Sequence, residues 1–116
     1  MGTRKIRVAS LFGSRLEALN MLLRSHITPW EKSREIVRFY RHIAEEVEAF
    51  AAEAGRLRAE FGDGAEGEEY ERRAAVLEEA EITVEIPVLR EENFLSASDI
   101  PSPAEMLLLE EIIDFA

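Results

Sequence analysis

The chain contains no cysteine. A disulfide framework, a thiolate zinc site and a cysteine nucleophile are therefore excluded, and an oxidising compartment gains no support. Histidine is almost as scarce: His26 and His42 are the only two. They lack a paired ligand motif, so neither a metal site nor a cofactor is expected. His42 reads more simply as an i,i+4 surface partner of Glu46. Long apolar runs are missing as well. No stretch approaches the roughly 18 apolar residues of a membrane span. The basic start Met1-Gly2-Thr3-Arg4-Lys5-Ile6-Arg7-Val8 has no apolar signal core behind it. The expected location is cytoplasmic, without a membrane partner.

Catalytic signatures are equally thin. There is no glycine-rich phosphate loop and no nucleophile elbow, and Ser10, Ser14, Ser25, Ser33, Ser96, Ser98 and Ser102 have no neighbours that single one out. The carboxylates of Glu45, Glu46 and Glu48 and of Glu78, Glu79 and Glu81 fall on expected exposed faces, where they read as solvated charge and not as an acid/base pair. Asp63, Gly64 and Glu66 approach a calcium loop without its full spacing and read as a plain loop. An enzyme is not expected.

What is present suffices for a fold. In 116 residues, 47% are hydrophobic and 33% charged, enough apolar surface for one core and too short a chain for two, so residues 1–116 read as a single helical domain. The net charge is −10 and is unevenly spread. Residues 1–42 hold nine Lys/Arg against three Asp/Glu (+6), and residues 43–116 hold five against twenty-one (−16). Bulk negative charge disfavours general nucleic-acid binding and favours a basic partner for the acidic part.

Periodicity predicts the elements. Phe12, Leu16, Leu19 and Leu23 mark an amphipathic helix over 10–25, with Ser10 as its cap. Thr28-Pro29-Trp30-Glu31 has the form of a cap, a first-turn proline and a capping box. It opens a long central helix over 29–61, in which Ile36, Tyr40, Ile43, Val47, Phe50, Ala54, Leu57 and Phe61 form an unbroken seam. Gly62 to Gly67 reverses the chain, and Glu68 to Ala80 returns as a helix with Tyr70, Ala74 and Leu77 inward. Glu81 to Val88 alternates as a strand, with Lys5 to Val8 as its partner either within the chain or across a dimer. Ser102-Pro103-Ala104-Glu105 caps a last apolar helix, Met106 to Phe115. The fold class is mainly α, a long helical hairpin with flanking helices and a minimal two-stranded β element. A seam this long, beside an all-round apolar last helix, predicts a homo-oligomer, at least a dimer.

One cluster could bind a ligand. Arg34, Arg38 and Arg41 share a face of the long helix near Trp30 and Tyr40, and guanidinium groups with aromatic rings suit phosphate-bearing nucleotides. The plainer expectation is that these arginines pair with Glu31, Glu35, Glu45 or the acidic second half of the chain.

Several segments together, Ala18-Leu19-Asn20-Met21-Leu22-Leu23, Pro29 opening a charged helix, Glu81-Ile82-Thr83-Val84-Glu85-Ile86, Ile100-Pro101-Ser102-Pro103 and Leu109-Glu110-Glu111-Ile112-Ile113, resemble a family of small uncharacterised proteins from tailed phages and prophages of Gram-positive bacteria. The chain departs from the family's lysine-rich members in its Arg, Ala and Glu usage. The resemblance implies a phage setting and carries no residue roles. The expected function is that of a non-enzymatic binding protein that inhibits or sequesters a host anti-phage defence protein or a nucleotide signal. The alternative is a morphogenesis or minor virion and tail assembly protein.

Overall fold

The computed structural model describes residues 2–61 and 67–116. Its spine is the long helix Trp30–Phe61, 32 residues, which at about 1.5 Å per residue runs nearly the length of the 52 × 25 × 20 Å molecule. As three further helices enter in chain order below, this one is α2. The seam is sound throughout: Ile36, Ile43 and Leu57 are buried, while Tyr40, Val47 and Phe50 pack against the core.

The chain covers most of this seam by itself, leaving Phe50 and Ala54 half-buried. Ile36 and Ile43 join a cluster with Ile6, Leu11, Leu19, Leu22, Val84 and Ile112. Leu57 is buried where the helix Glu68–Glu78 (α3) folds back on α2. Ile36, Tyr40 and Ile43 are thus covered within one chain. The reversal at Gly62 to Glu66, including Asp63 and Gly64, lies outside the described residues. On either side of it Phe61 meets Tyr70 edge-on at 5.7 Å. Arg73 reaches Glu60 at 2.8 Å, which holds its guanidinium above its usual range.

The N-terminal third departs from the expected single helix. Strand β1 (Thr3–Arg7) runs into a 3-10 turn, Val8–Leu11, and only then into α1 (Ser14–Leu22). Gly13 between them adopts φ +78°, a conformation that breaks a helix and that side chains resist. Ser10 therefore caps nothing, and its hydroxyl donates to the Arg7 carbonyl. Phe12 is left 38% exposed, its ring 5.3 Å from Phe50.

At the start of α2 the expected cap is displaced by one residue. The Thr28–Pro29 peptide is cis. The Pro29 carbonyl accepts from the Ser33 N–H at 3.2 Å, so Pro29 stands at the cap position and not inside the helix. Thr28 is occupied otherwise. Its N–H donates to the Asn93 carbonyl at 2.8 Å, and its carbonyl accepts from the Asn93 amide at 2.9 Å.

Strand β2 (Glu81–Glu85) pairs antiparallel with β1 inside the chain, Thr3 opposite Glu85 through Arg7 opposite Glu81. Ile6, Val84 and Ile86 face the core, and Lys5, Glu81, Thr83 and Glu85 face out, the alternation of a half-buried sheet. The run predicted to Val88 is broken at Pro87. Beyond it β3 (Val88–Leu89) pairs in parallel with β4 (Asp114–Phe115). The last helix is accordingly shorter than expected: α4 is Pro103–Leu109, and the chain then turns so that Ile112 and Ile113 enter the core from outside a helix. Leu107 stays 66% exposed, so α4 is not apolar all round. Its start is as read, with Ser102 Oγ accepting from the Glu105 N–H and Glu105 Oε1 accepting from the Ser102 N–H. Two basic residues of β1 complete helix ends: Arg4 donates to the carbonyls of Glu110 and Glu111 after α4, and Arg7 donates to that of Glu78 at the end of α3, where cations offset unpaired carbonyls and the helix dipole.

Candidate binding face

Helical geometry decides which of the five candidate residues meet. At about 100° per residue, Trp30, Arg34, Val37 and Arg41 fall within a narrow arc on the side of α2 opposite the seam, with Arg38 one step beside it. Trp30 is 72% exposed and Val37 44%, and Arg34, Arg38 and Arg41 are all exposed. The result is a convex stripe of cations with an indole at one end and a valine in its middle.

Tyr40 does not belong to this stripe. It lies about a quarter turn from Arg41 and packs against the core with the seam, because its ring continues the row of Ile36 and Ile43. The expected two-aromatic cluster therefore has one ring, Trp30. The plainer expectation fails too. Among the described residues Arg34, Arg38 and Arg41 form no ion pair or side-chain hydrogen bond, and Glu35 is taken by Lys32 at 2.8 Å. His42 likewise makes no ion pair with Glu46 among the described residues. It lines a groove of about 470 Å³ between α2 and β2, together with Glu35, Arg38, Phe39, Thr83 and Glu85.

The wall of side chains around α1 shows one titratable group held by its surroundings. The Asp99 carboxyl is kept below its usual range, first by the His26 backbone N–H and then by the Ser96 hydroxyl at 3.0 Å and the His26 ring at 3.5 Å. Ser25 Oγ donates to the Asp99 carbonyl, so this residue clamps the loop after α1 to the turn Ala97–Asp99. Nothing in the local sequence singled it out.

Comparison with family models, with characterised proteins and with solved structures finds no match. The reading of the face rests on its chemistry. Three guanidinium groups without a partner among the described residues can each form charge-assisted, bidentate hydrogen bonds to carboxylate or phosphate. The Trp30 ring adds an apolar anchor of the kind that carries interface energy. The groove beside β2 is a concave feature, unlike the stripe, that sequence periodicity alone could not reveal, since alternation marks a strand but not which of its edges is open.

Proposed function

We propose that the chain is a non-enzymatic binding protein of a phage or prophage, one that inhibits or sequesters a host protein by covering an acidic surface of it. The observation that supports this is the exposed stripe Trp30, Arg34, Val37 and Arg41, whose cations are unpaired among the described residues. Complementary charge of this kind steers encounter and selects partners. The phage setting comes from the family resemblance. A protein partner is preferred to a nucleotide signal because the stripe is convex and Tyr40, the second stacking ring, faces the core. Self-association forms the remaining part of the proposal. It would use the part of the seam left open in the groove of Phe12, Phe50 and Ala54, with Arg58 and Glu78 at that groove placed to pair between two copies.

A second reading, docking on a virion or tail protein, draws on the rod-like 52 Å length of the molecule. Placement of the gene among tail genes favours it, and placement among early accessory genes favours inhibition.

The test is capture from infected host lysate by the wild type and by an Arg34→Glu/Arg41→Glu variant. A host protein retained by the wild type and lost from a variant with an unchanged circular dichroism spectrum supports the proposal. Equal retention by both contradicts it.

A further inference from the structure

The β1–β2 ladder leaves one edge of β2 unused, and its register shows which groups that edge presents. The Ile86 N–H donates to the Gly2 carbonyl and the Val8 N–H to the Ala80 carbonyl, each at 3.0 Å. With Thr3 opposite Glu85 and Arg7 opposite Glu81, the pairs that exchange hydrogen bonds involve residues 82, 84 and 86. In an antiparallel strand the N–H and C=O of one residue point the same way and those of the next point the opposite way. The peptide groups of Glu81, Thr83 and Glu85 therefore point away from β1. Among the described residues none of them finds a hydrogen-bond partner.

That edge opens onto the groove walled by Arg38, Phe39 and His42 of α2. It is a slot between a strand and a helix, unlike the outer edge of β1, where the Arg7 carbonyl is already bonded to the Ser10 hydroxyl at 2.7 Å. An added extended chain would satisfy the free donors and acceptors, as in strand addition to an open sheet edge. Pro87 has no N–H to offer, so the usable edge ends at Glu85.

Charge selects the occupant. Glu81 and Glu85 are exposed on the outer face, and Arg7, opposite Glu81 in the ladder, donates to the Glu78 carbonyl instead. A second copy of β2 centred on Thr83 would set Glu81 against Glu85 twice, and like charges directly opposite are unfavourable. A strand with basic residues facing out meets both acids favourably. Its inward residues meet the apolar wall of Phe39, Val84 and Ile86, with Glu35 and Arg38 at the sides of the groove, which favours apolar side chains there. We infer that the open edge of β2 docks an extended segment of a partner protein that is basic at alternate residues and apolar between them. This site adjoins the arginine stripe through Arg38, but it rests on the open backbone edge of β2 and stands without the stripe.

The probe is a five-residue peptide of alternating lysine and valine with blocked ends, titrated into the full chain and followed by amide hydrogen exchange. Exchange at Thr83 and Glu85 should slow, while Ile82 and Val84, already in the ladder, should not change. Thr83→Pro removes a donor of the free edge without touching the β1 ladder and should weaken binding at least tenfold. Should that variant not fold, Glu81→Lys/Glu85→Lys keeps the edge and should reverse the preference toward a glutamate–valine peptide. Unchanged exchange at Thr83 and Glu85 under excess peptide, equal binding by Thr83→Pro, retained preference of the double-lysine variant for the lysine peptide, or wild-type preference for the glutamate peptide would each overturn the inference.

Discussion

Asn93 is the buried polar residue of the core region, and its side chain is fully engaged. Its Oδ1 accepts from the Arg90 N–H at 2.8 Å, and its amide donates to the Thr28 carbonyl at 2.9 Å. It ties the turn after β3 to the segment that aims α2. Replacing it by alanine removes two part-buried hydrogen bonds, each worth about 0.5–1.5 kcal/mol, so Asn93→Ala should lower stability by about 1–3 kcal/mol, read as a lower urea midpoint with an unchanged slope. Asp99 gives a pH signature instead. Its folded-state pKa is depressed, so its contribution is present above the unfolded value near 4 and is lost as pH falls through the lower, folded one. Asp99→Asn should therefore melt below the wild type at neutral pH, and the gap should close in strong acid. A gap independent of pH would contradict this clamp. Neither residue was legible beforehand: an asparagine and an aspartate among loop residues look alike whether or not a distant backbone reaches them.

Elements were legible where periodicity alone defines them. The four-and-three steps from Ile36 to Phe61 specify a helix whatever covers it, and the Ser102–Glu105 box sets a start through contacts three residues apart. The strand alternation of Glu81 to Ile86 was equally plain, and the pairing with β1 resolved within the chain. Two boundaries were not legible. Leucines and isoleucines after Leu109 suit a helix or a tight turn entering the core, and apolar spacing does not separate them. The other is the break before α1, which depends on a single backbone conformation at Gly13. Since that conformation is adverse for any residue with a Cβ, although there is open space around it, Gly13→Ala should cost about 1–3 kcal/mol without a steric clash. A thermal melt of the variant at wild-type stability would mean that the 3-10 turn and α1 can fuse into the single helix that the apolar spacing suggests.

At the scale of the molecule, the chain's charge division becomes spatial only in part. Arg4 and Arg7 are spent on helix ends, Arg15 on the Leu108 and Ser10 carbonyls and Lys32 on Glu35, so part of the basic third is consumed by the fold. Among its cations without a partner in the described residues, Arg34, Arg38 and Arg41 lie together on α2, with Trp30 at the end of their stripe. Of the candidate site, the three arginines and the indole were legible because they share one helix face. The place of Tyr40 was not, because a tyrosine at a seam position reads equally as ligand-stacking or as core. If this stripe is the binding surface, titration of the captured host protein against the wild type and Arg34→Glu/Arg41→Glu at low and high salt will show it. Binding by the wild type should weaken as salt rises, since exposed charges are screened. The variant should bind at least tenfold more weakly at low salt with its melting point nearly unchanged, because surface substitutions of this kind move stability by only about 0.5 kcal/mol. Equal affinities for the two proteins, with no dependence on salt, would contradict this reading of the stripe.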